Sequence, residues 1–213
     1  AMNLAAGKAE LDACPYVSDE AREQLSEASA PPIRPVKFGD GDTAVTAGGE
    51  TVLFRHEKTF FNPTAIAATV RDTDGDIADK VKTWNKFQWE RVGLNLRPEL
   101  VFVKCESGDA GKFEAAVKEV VDNSDFSLIL GCEDVAVMEP AAKAVKDKKP
   151  LLYAGNQANL DKMAALANEC GCPLAVKGAS IEEVQALTQE LMDAGYKDMV
   201  LDSGARDLKG AFV

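Results

Sequence analysis

Six short apolar runs recur along this chain at nearly even intervals, and their rhythm constrains the fold more than any other feature. AIAATV begins at Ala65, LVFVK at Leu100, SLIL at Ser127, LLYA at Leu151, PLAV at Pro173 and MVL at Met199, so successive starts lie 35, 27, 24, 22 and 26 residues apart. Each interval fits a strand, a helix and two short loops. The intervening stretches IADKVKTWNKFQWERVGLNL, KFEAAVKEVVDN, VMEPAAKAVKD, LDKMAALANEC and IEEVQALTQELMDAG carry apolar residues three and four positions apart. Helices that cover one face of a sheet have that spacing. The last stretch also carries a capping box, Ser180 with Glu183, and a stop at Gly195.

A repeated β/α unit with right-handed crossovers closes into a barrel or opens into a doubly wound sheet. No glycine fingerprint follows the first run and nothing signals a switch in strand order, so the expected fold is α/β, a (β/α) TIM-type barrel. A closed barrel needs eight strands. The chain reaches its end, SGARDLKGAFV, just after the sixth run, so the barrel is expected to be incomplete, with about six of eight β/α units.

Upstream the organisation differs. Residues 1–27 are small and helix-prone, with Cys14-Pro15 followed by a helix that Ser18 caps and that carries Asp19 and Glu20 in its first turn. ASAPPIRP, residues 28–35, is stiffened by proline. The expected division is a helical segment 1–27, an extended linker 28–47, and 48–213 as an N-terminal hairpin followed by the partial barrel. The hairpin is expected within GGETVLFRHEKTFFNP, residues 48–63, where TVLF and TFF flank Arg55-His56-Glu57. That puts His56, the only histidine, at the barrel floor with Phe60 and Phe61 as plugs, away from the end where barrel chemistry sits.

Charge excludes some partners. Lys plus Arg number 24 against 35 Asp plus Glu, a net charge of -11. Such a chain repels phosphate backbones and anionic membranes. No run approaches the roughly 18–20 apolar residues of a membrane span, and no secretory leader is visible. The five cysteines, Cys14, Cys105, Cys132, Cys170 and Cys172, are an odd count in a chain large enough to do without disulfides. A reducing, cytoplasmic setting is expected.

In a barrel, functional groups sit at the C-terminal ends of strands. Those ends here carry Asp72, Thr73 and Asp74; Cys105 and Glu106; Cys132, Glu133 and Asp134; Asn156 and Gln157; Lys177; and Asp202, Ser203 and Arg206. Converging carboxylates can hold a divalent cation or work as acid and base, while the same residue types also cap helices. Capping is the favoured reading, because no histidine or metal-ligand spacing joins them. Lys177 is where a barrel enzyme places a Schiff-base lysine, and equally where a lysine pairs with a rim carboxylate. Cys170-Gly-Cys172 reads as a helix-to-strand junction in preference to a metal clip. No phosphate-binding glycine loop occurs. Cys14, a lone cysteine before proline after a helical stretch, has the setting of the last ligand of an iron-sulfur cluster.

LAAGKAELDACPYVS, GGETVLFRHEKTFFNPTAIA, KKPLLYA, CPLAVKG and VLDSGARD together resemble one family, the large (gamma) subunit of the corrinoid iron-sulfur protein of the CO dehydrogenase/acetyl-CoA synthase system. The resemblance runs essentially end to end. It implies an N-terminal domain with a 4Fe-4S cluster, a central (β/α) barrel and a C-terminal cobalamin domain. The implied activity is methyl carriage from a methyl-pterin, through a pterin-dependent methyltransferase, to the nickel site of acetyl-CoA synthase, with the cluster reactivating oxidised cobalt. The implied partners are the small subunit of the corrinoid iron-sulfur protein, the methyltransferase and CO dehydrogenase/acetyl-CoA synthase. No nucleic acid or membrane is implied.

The resemblance makes Cys14 the fourth cluster ligand, a metal ligand whose companions are missing. The family pattern C-x-x-C-x-x-x-x-C precedes a helical spacer and C-P, but none of the 13 residues before Cys14 is a cysteine. Nor does the corrinoid motif D-x-H-x-x-G occur. The expectation is therefore a fragment that lacks the other cluster cysteines and the cobalamin domain and binds neither cofactor fully. Its barrel would serve as scaffold and docking platform. The competing expectation is a stand-alone barrel, a pterin-dependent methyltransferase acting on a small molecule through Asp72, Asp74 and Lys177.

Overall fold

The computed structural model describes residues 34–48, 62 and 64–211. The chain divides into two compact units, one of Ala1–Pro35 with Gly48–Asn62 and the other of Val36–Ala47 with Pro63–Val213. In the first, the Asn62 side-chain amide donates to the Gly48 carbonyl at 2.8 Å. Cys14, His56, Phe60, Phe61 and the hairpin expected over 48–63 fall outside the described residues, apart from Gly48 and Asn62 at its ends. The second unit carries the described sheet and helices.

Its centre is a six-stranded parallel sheet of β3 (Ala67–Arg71), β6 (Leu100–Lys104), β7 (Ser127–Gly131), β8 (Leu151–Gly155), β9 (Leu174–Lys177) and β10 (Met199–Asp202). All six apolar runs became strands. The order β10-β9-β8-β7-β6-β3 follows the sequence without a switch, as a barrel wall requires and a doubly wound sheet does not. The sheet is an open, partial barrel wall with β3 and β10 at its edges.

Helices α1 (Ile77–Lys86), α2 (Ala110–Asn123), α3 (Val135–Ala144), α4 (Leu160–Cys170) and α5 (Ile181–Asp193) connect the strands, and a short α6 (Leu208–Ala211) follows β10. Alternation along the strands sorts the core. Val70, Val103, Leu130, Leu152 and Leu174, all fully buried, meet Phe113, Met138 and Met163 of the helices. The helix ends follow the sequence signals. Asp109 and Asp134 cap α2 and α3 through their carboxylates. Ser180 accepts from the Glu183 amide at 3.3 Å while Glu183 accepts from Ala179, and Gly195, at a φ of +84°, follows α5.

A hairpin covers the other face of the sheet. β1 (Val36–Phe38) and β2 (Val45–Ala47) pair antiparallel, inside the stretch expected as an extended linker. Val36 and Phe38 are each 4% exposed, and Phe38 joins Leu100, Leu151 and Ala175 in a second apolar cluster. The Gly39 amide donates to the Lys149 carbonyl at 2.9 Å, and the buried Ser127 hydroxyl donates to the Thr43 carbonyl. Lys149 and Ser127 stand at strand starts, so the hairpin closes the N-terminal end of the wall. Gly39 is required there, because a Cβ would lie 1.9 Å from Ser127 Oγ and its φ is +90°.

The first amphipathic stretch is also revised. IADKVKTWNKFQWERVGLNL does not form one helix; α1 ends at Lys86, and β4 (Trp89–Arg91) and β5 (Leu94–Leu96) form a second hairpin. Val92 and Gly93 turn it at φ of 50° and 76°. Two consecutive left-handed residues make a hairpin turn and cannot continue a helix.

Candidate functional site

The C-terminal ends of the strands carry two layers of polar groups, one on each face of the sheet. Strand register aligns Arg71 with Lys104, Lys104 with Gly131, Gly131 with Tyr153, and Lys177 with Asp202. The register next sets Tyr153 against Ala175, so Arg71, Lys104, Gly131 and Tyr153 form one inward-facing row, and Lys177 with Asp202 stands two residues further along the same face. Gly131 leaves room in it for an aromatic pair, since a Cβ would lie 2.4 Å from Phe102 Cζ. Phe102 meets Tyr153 edge to face, with centroids 5.5 Å apart and planes at 88°.

Tyr153 carries this stack into a charged network. Its hydroxyl donates to Asp202 Oδ2 at 2.6 Å and accepts from Arg206 Nη2 at 3.1 Å. Arg206 also grips both Asp202 oxygens, at 2.9 and 2.8 Å, and the Gly204 amide donates to Oδ1 at 2.9 Å. The Arg206 hydrogen bonds, with those of Tyr153 and Gly204, hold the Asp202 carboxyl well below the usual carboxylate range against the opposing effect of burial. Burial pushes the Tyr153 hydroxyl up to about 12, and neighbouring Asp202 adds to the effect.

The rest of the layer is paired as well. Lys177 Nζ reaches Glu133 Oε1 at 2.8 Å. Glu106 Oε1 holds Lys104 Nζ at 2.7 Å and Arg71 Nε at 3.4 Å. Each carboxylate of the layer, Glu106, Glu133 and Asp202, is thus bound to a cation.

Asp72 lies on the helix-facing side. It is 8% exposed and accepts from the Glu106 and Ser107 amides at 2.8 and 3.1 Å and from the Ser107 hydroxyl. Burial raises its pKa, but these hydrogen bonds outweigh it and leave the carboxyl below its ordinary value. Beside it, the Cys105 and Cys132 thiols interact with each other, and burial pushes Cys105 up to about 12 and raises Cys132. Protonated thiols suit packing better than nucleophilic work.

Asp74 does something else again. It accepts from the Arg71 amide at 3.2 Å and from Lys80 Nζ at 2.9 Å, fastening the loop before α1. Asp72, Asp74 and Lys177 therefore have three separate sets of partners and form no common centre. Among the other rim residues, Asp134 accepts from the Ala136 amide and Asn156 from the Ala158 amide, as capping groups do. A groove of about 270 Å³ lies between α4 and α5, lined by Asn159, Asp161, Lys162, Glu183 and Glu190. That is just under the size range of small-molecule pockets.

The cofactors implied by the resemblance do not fit the described residues. Cys105 and Cys132 follow β6 and β7, whereas Cys170 and Cys172 flank Gly171 at the α4 C-cap, at the opposite end of the sheet. Four thiols at two ends cannot hold a cubane. Among the described residues, no three or more His, Cys, Asp or Glu are placed to hold a metal, and none of these residues is a histidine that could face a corrinoid.

Tyr153 is the functional-looking residue that sequence reasoning missed. It sits inside the apolar run LLYA, and the available signal was its alternation with Leu152 and Ala154.

Comparison with known proteins adds what geometry does not. Residues 35–211 match the family model described as CO dehydrogenase/acetyl-CoA synthase delta subunit. The chain is 45% identical over 213 residues to the corrinoid/iron-sulfur protein large subunit of Moorella thermoacetica, covering 99% of this chain and 48% of that protein. It is 38% identical over 207 residues to the acetyl-CoA decarbonylase/synthase complex subunit gamma of Methanopyrus kandleri, covering 96% of this chain and 44% of that one. A gamma subunit from Methanothermobacter thermautotrophicus is 33% identical over 197 residues, 91% of this chain and 43% of its own length. The chain thus spans just under half the length of the curated relatives it matches. By the extent of the family match, this chain belongs to the CO dehydrogenase/acetyl-CoA synthase delta subunit family, and within it resembles the large, gamma-type subunits along its whole length.

Proposed function

We propose that this chain supplies the barrel region of the large subunit of a corrinoid iron-sulfur methyl carrier. The complete carrier takes a methyl group from a methyl-pterin through a pterin-dependent methyltransferase and passes it to acetyl-CoA synthase in the reductive acetyl-CoA pathway. The observation that carries this reading is the 45% identity to a corrinoid/iron-sulfur protein large subunit over 99% of the chain. Its partners in this reading are the small subunit, the methyltransferase and CO dehydrogenase/acetyl-CoA synthase.

The barrel wall acts as scaffold and docking platform. Two features support that role: every carboxylate of the inward mouth layer is bound to a cation, and the opposite end is closed by the β1–β2 hairpin. The alternative of a stand-alone methyltransferase needs Asp72, Asp74 and Lys177 to converge, and they are engaged separately.

Cofactor binding belongs to the complete protein in this reading, with Cys14 as one cluster ligand. Electron paramagnetic resonance of the reduced full-length protein tests that assignment. A cubane signal lost or altered in Cys14→Ala supports it, and an unchanged signal removes Cys14 from the site. Reconstitution tests the carrier role: acetyl-CoA formation from a methyl-pterin depends on the full-length protein if the reading is right, and proceeds equally without it if the reading is wrong.

A further inference from the structure

The β4–β5 hairpin is the least covered apolar part of the described fold. Eight large apolar side chains stand well exposed among the described residues, and five of them, Ile66, Phe87, Trp89, Val92 and Leu96, lie on or beside this hairpin. Trp89 faces Leu96 directly across the two strands, so they share one face, and they are 60% and 43% exposed. Phe87 is 51% exposed at the hairpin's entrance. Ile66 is bound at its base, where its carbonyl accepts from the Glu99 and Leu100 amides at 3.0 and 3.2 Å.

A two-stranded ribbon is marginal in water unless its apolar face is packed against something. This one also carries an internal cost at its tip. Val92, 94% exposed, holds a φ of 50°, a region that β-branched residues rarely enter. Among the described residues, nothing repays that cost by burying Val92.

Charge narrows the choice of what does. From Lys86 to Arg97 the hairpin has one carboxylate, Glu90, against Lys86, Arg91 and Arg97, and Lys82 adds a further cation one helical turn before Lys86. Among the described residues these four cations form no ion pair, in contrast to Lys80 two positions before Lys82, which binds both Asp74 and Asp76. In a chain of net charge -11, this is a local excess of cations along a hairpin whose base rung carries Trp89 and whose tip is Val92, with Glu99 the next carboxylate after Arg97. Aromatic residues together with arginine are the usual anchors of protein interfaces.

We infer that the β4–β5 hairpin is a docking finger that inserts Trp89 and Val92 into an apolar recess of another protein subunit whose rim carries Asp and Glu. The inference rests on the carrier reading above only in taking the chain to be a subunit of an assembly. The hairpin joins the C-terminal end of α1 to the start of β6, so it stands at the N-terminal end of the wall. Docking there leaves the mouth layer free.

The test uses the full-length subunit co-purified with its partner subunits, and reads association by sedimentation at several salt concentrations. Two variants are compared with the wild type: Trp89→Ser, and Arg91→Glu combined with Arg97→Glu. A third, Val92→Asn, keeps a residue type that tolerates the left-handed turn and removes the apolar tip. The sites are exposed, and circular dichroism checks that each variant folds. The expected result is association weakened tenfold or more by Trp89→Ser and by the charge reversal, with the charge-reversed form losing the salt dependence seen in the wild type. Val92→Asn weakens it less, in the same direction. Wild-type association that all three variants leave unchanged overturns the finger while the carrier reading stands. Failure of the wild type to associate at all overturns both. A wild type that pairs only with itself, and variants that are monomeric, replace the acidic-rimmed partner with a second copy of this chain.

Discussion

Asp202 shows what one side chain organises at the mouth. It ties strand β10 to β8 through Tyr153 and to the following loop through Gly204 and Arg206. Tyr153→Phe removes a hydrogen bond to a carboxylate, which costs about 1–2 kcal/mol in chemical denaturation. The linkage to pH follows from the two shifts. Asp202 is held below its unfolded value of about 3.9, so its contribution is present above about pH 4 and is lost as pH falls through the lower folded value. Tyr153, raised from 10.0 to about 12, contributes fully below about pH 10 and loses that contribution as pH rises toward 12. Denaturation midpoints measured across pH should fall at both ends. Tyr153→Phe should flatten part of the alkaline fall; the remainder belongs to Tyr196, which burial also raises, and to buried thiols such as Cys172, which burial pushes up to about 12. Asp202 and Arg206 were legible in the sequence because they follow an apolar run, where barrel rims lie. Tyr153 was hidden, because inside a strand a hydroxyl counts among the apolar residues until the register shows which way it faces.

The elements divide into those with a period and those too short to have one. Strands of four or five residues and helices of ten or more leave a pattern over many positions, and all six strands of the sheet stand where the apolar runs lie. The two hairpins do not, because strands of three residues hold barely more than one full alternation. Proline at 31, 32 and 35 drew Val36–Phe38 into the linker, although Val36 and Phe38 alternate around exposed Lys37. The β1–β2 hairpin should be indispensable to the inner face. Phe38→Ala should cost about 3–5 kcal/mol, the range for deleting a buried aromatic ring. Gly39→Ala places a Cβ against Ser127 at a positive φ, and should destabilise by about 1–3 kcal/mol, as overpacking does. Thermal and urea unfolding read both. Equal stability of Phe38→Ala and wild type would mean that the hairpin does not pack where it is described.

At the scale of the whole molecule, the second unit joins a sequential parallel sheet to a hairpin at its N-terminal end and a charge-paired mouth, which suits the scaffold role proposed above. The fold class was legible because one β/α unit repeats, and repetition multiplies a weak signal. The chemistry was legible only through resemblance: the candidate ligand Cys14 needs cysteines that this sequence does not contain, and the mouth is built from residue types that serve caps and catalysts alike. In the carrier proposed above, this barrel supports methyl transfer without performing it. The direct measurement is the rate of methyl transfer from a methyl-pterin to acetyl-CoA synthase by the reconstituted full-length assembly carrying Lys177→Ala, Asp74→Asn or Asp72→Asn, each first shown to fold and assemble. A scaffold role predicts rates within about twofold of wild type, a change of less than about 0.5 kcal/mol in the barrier. A folded, assembled variant slowed about a hundredfold or more, the scale of a lost acid-base group, would contradict it.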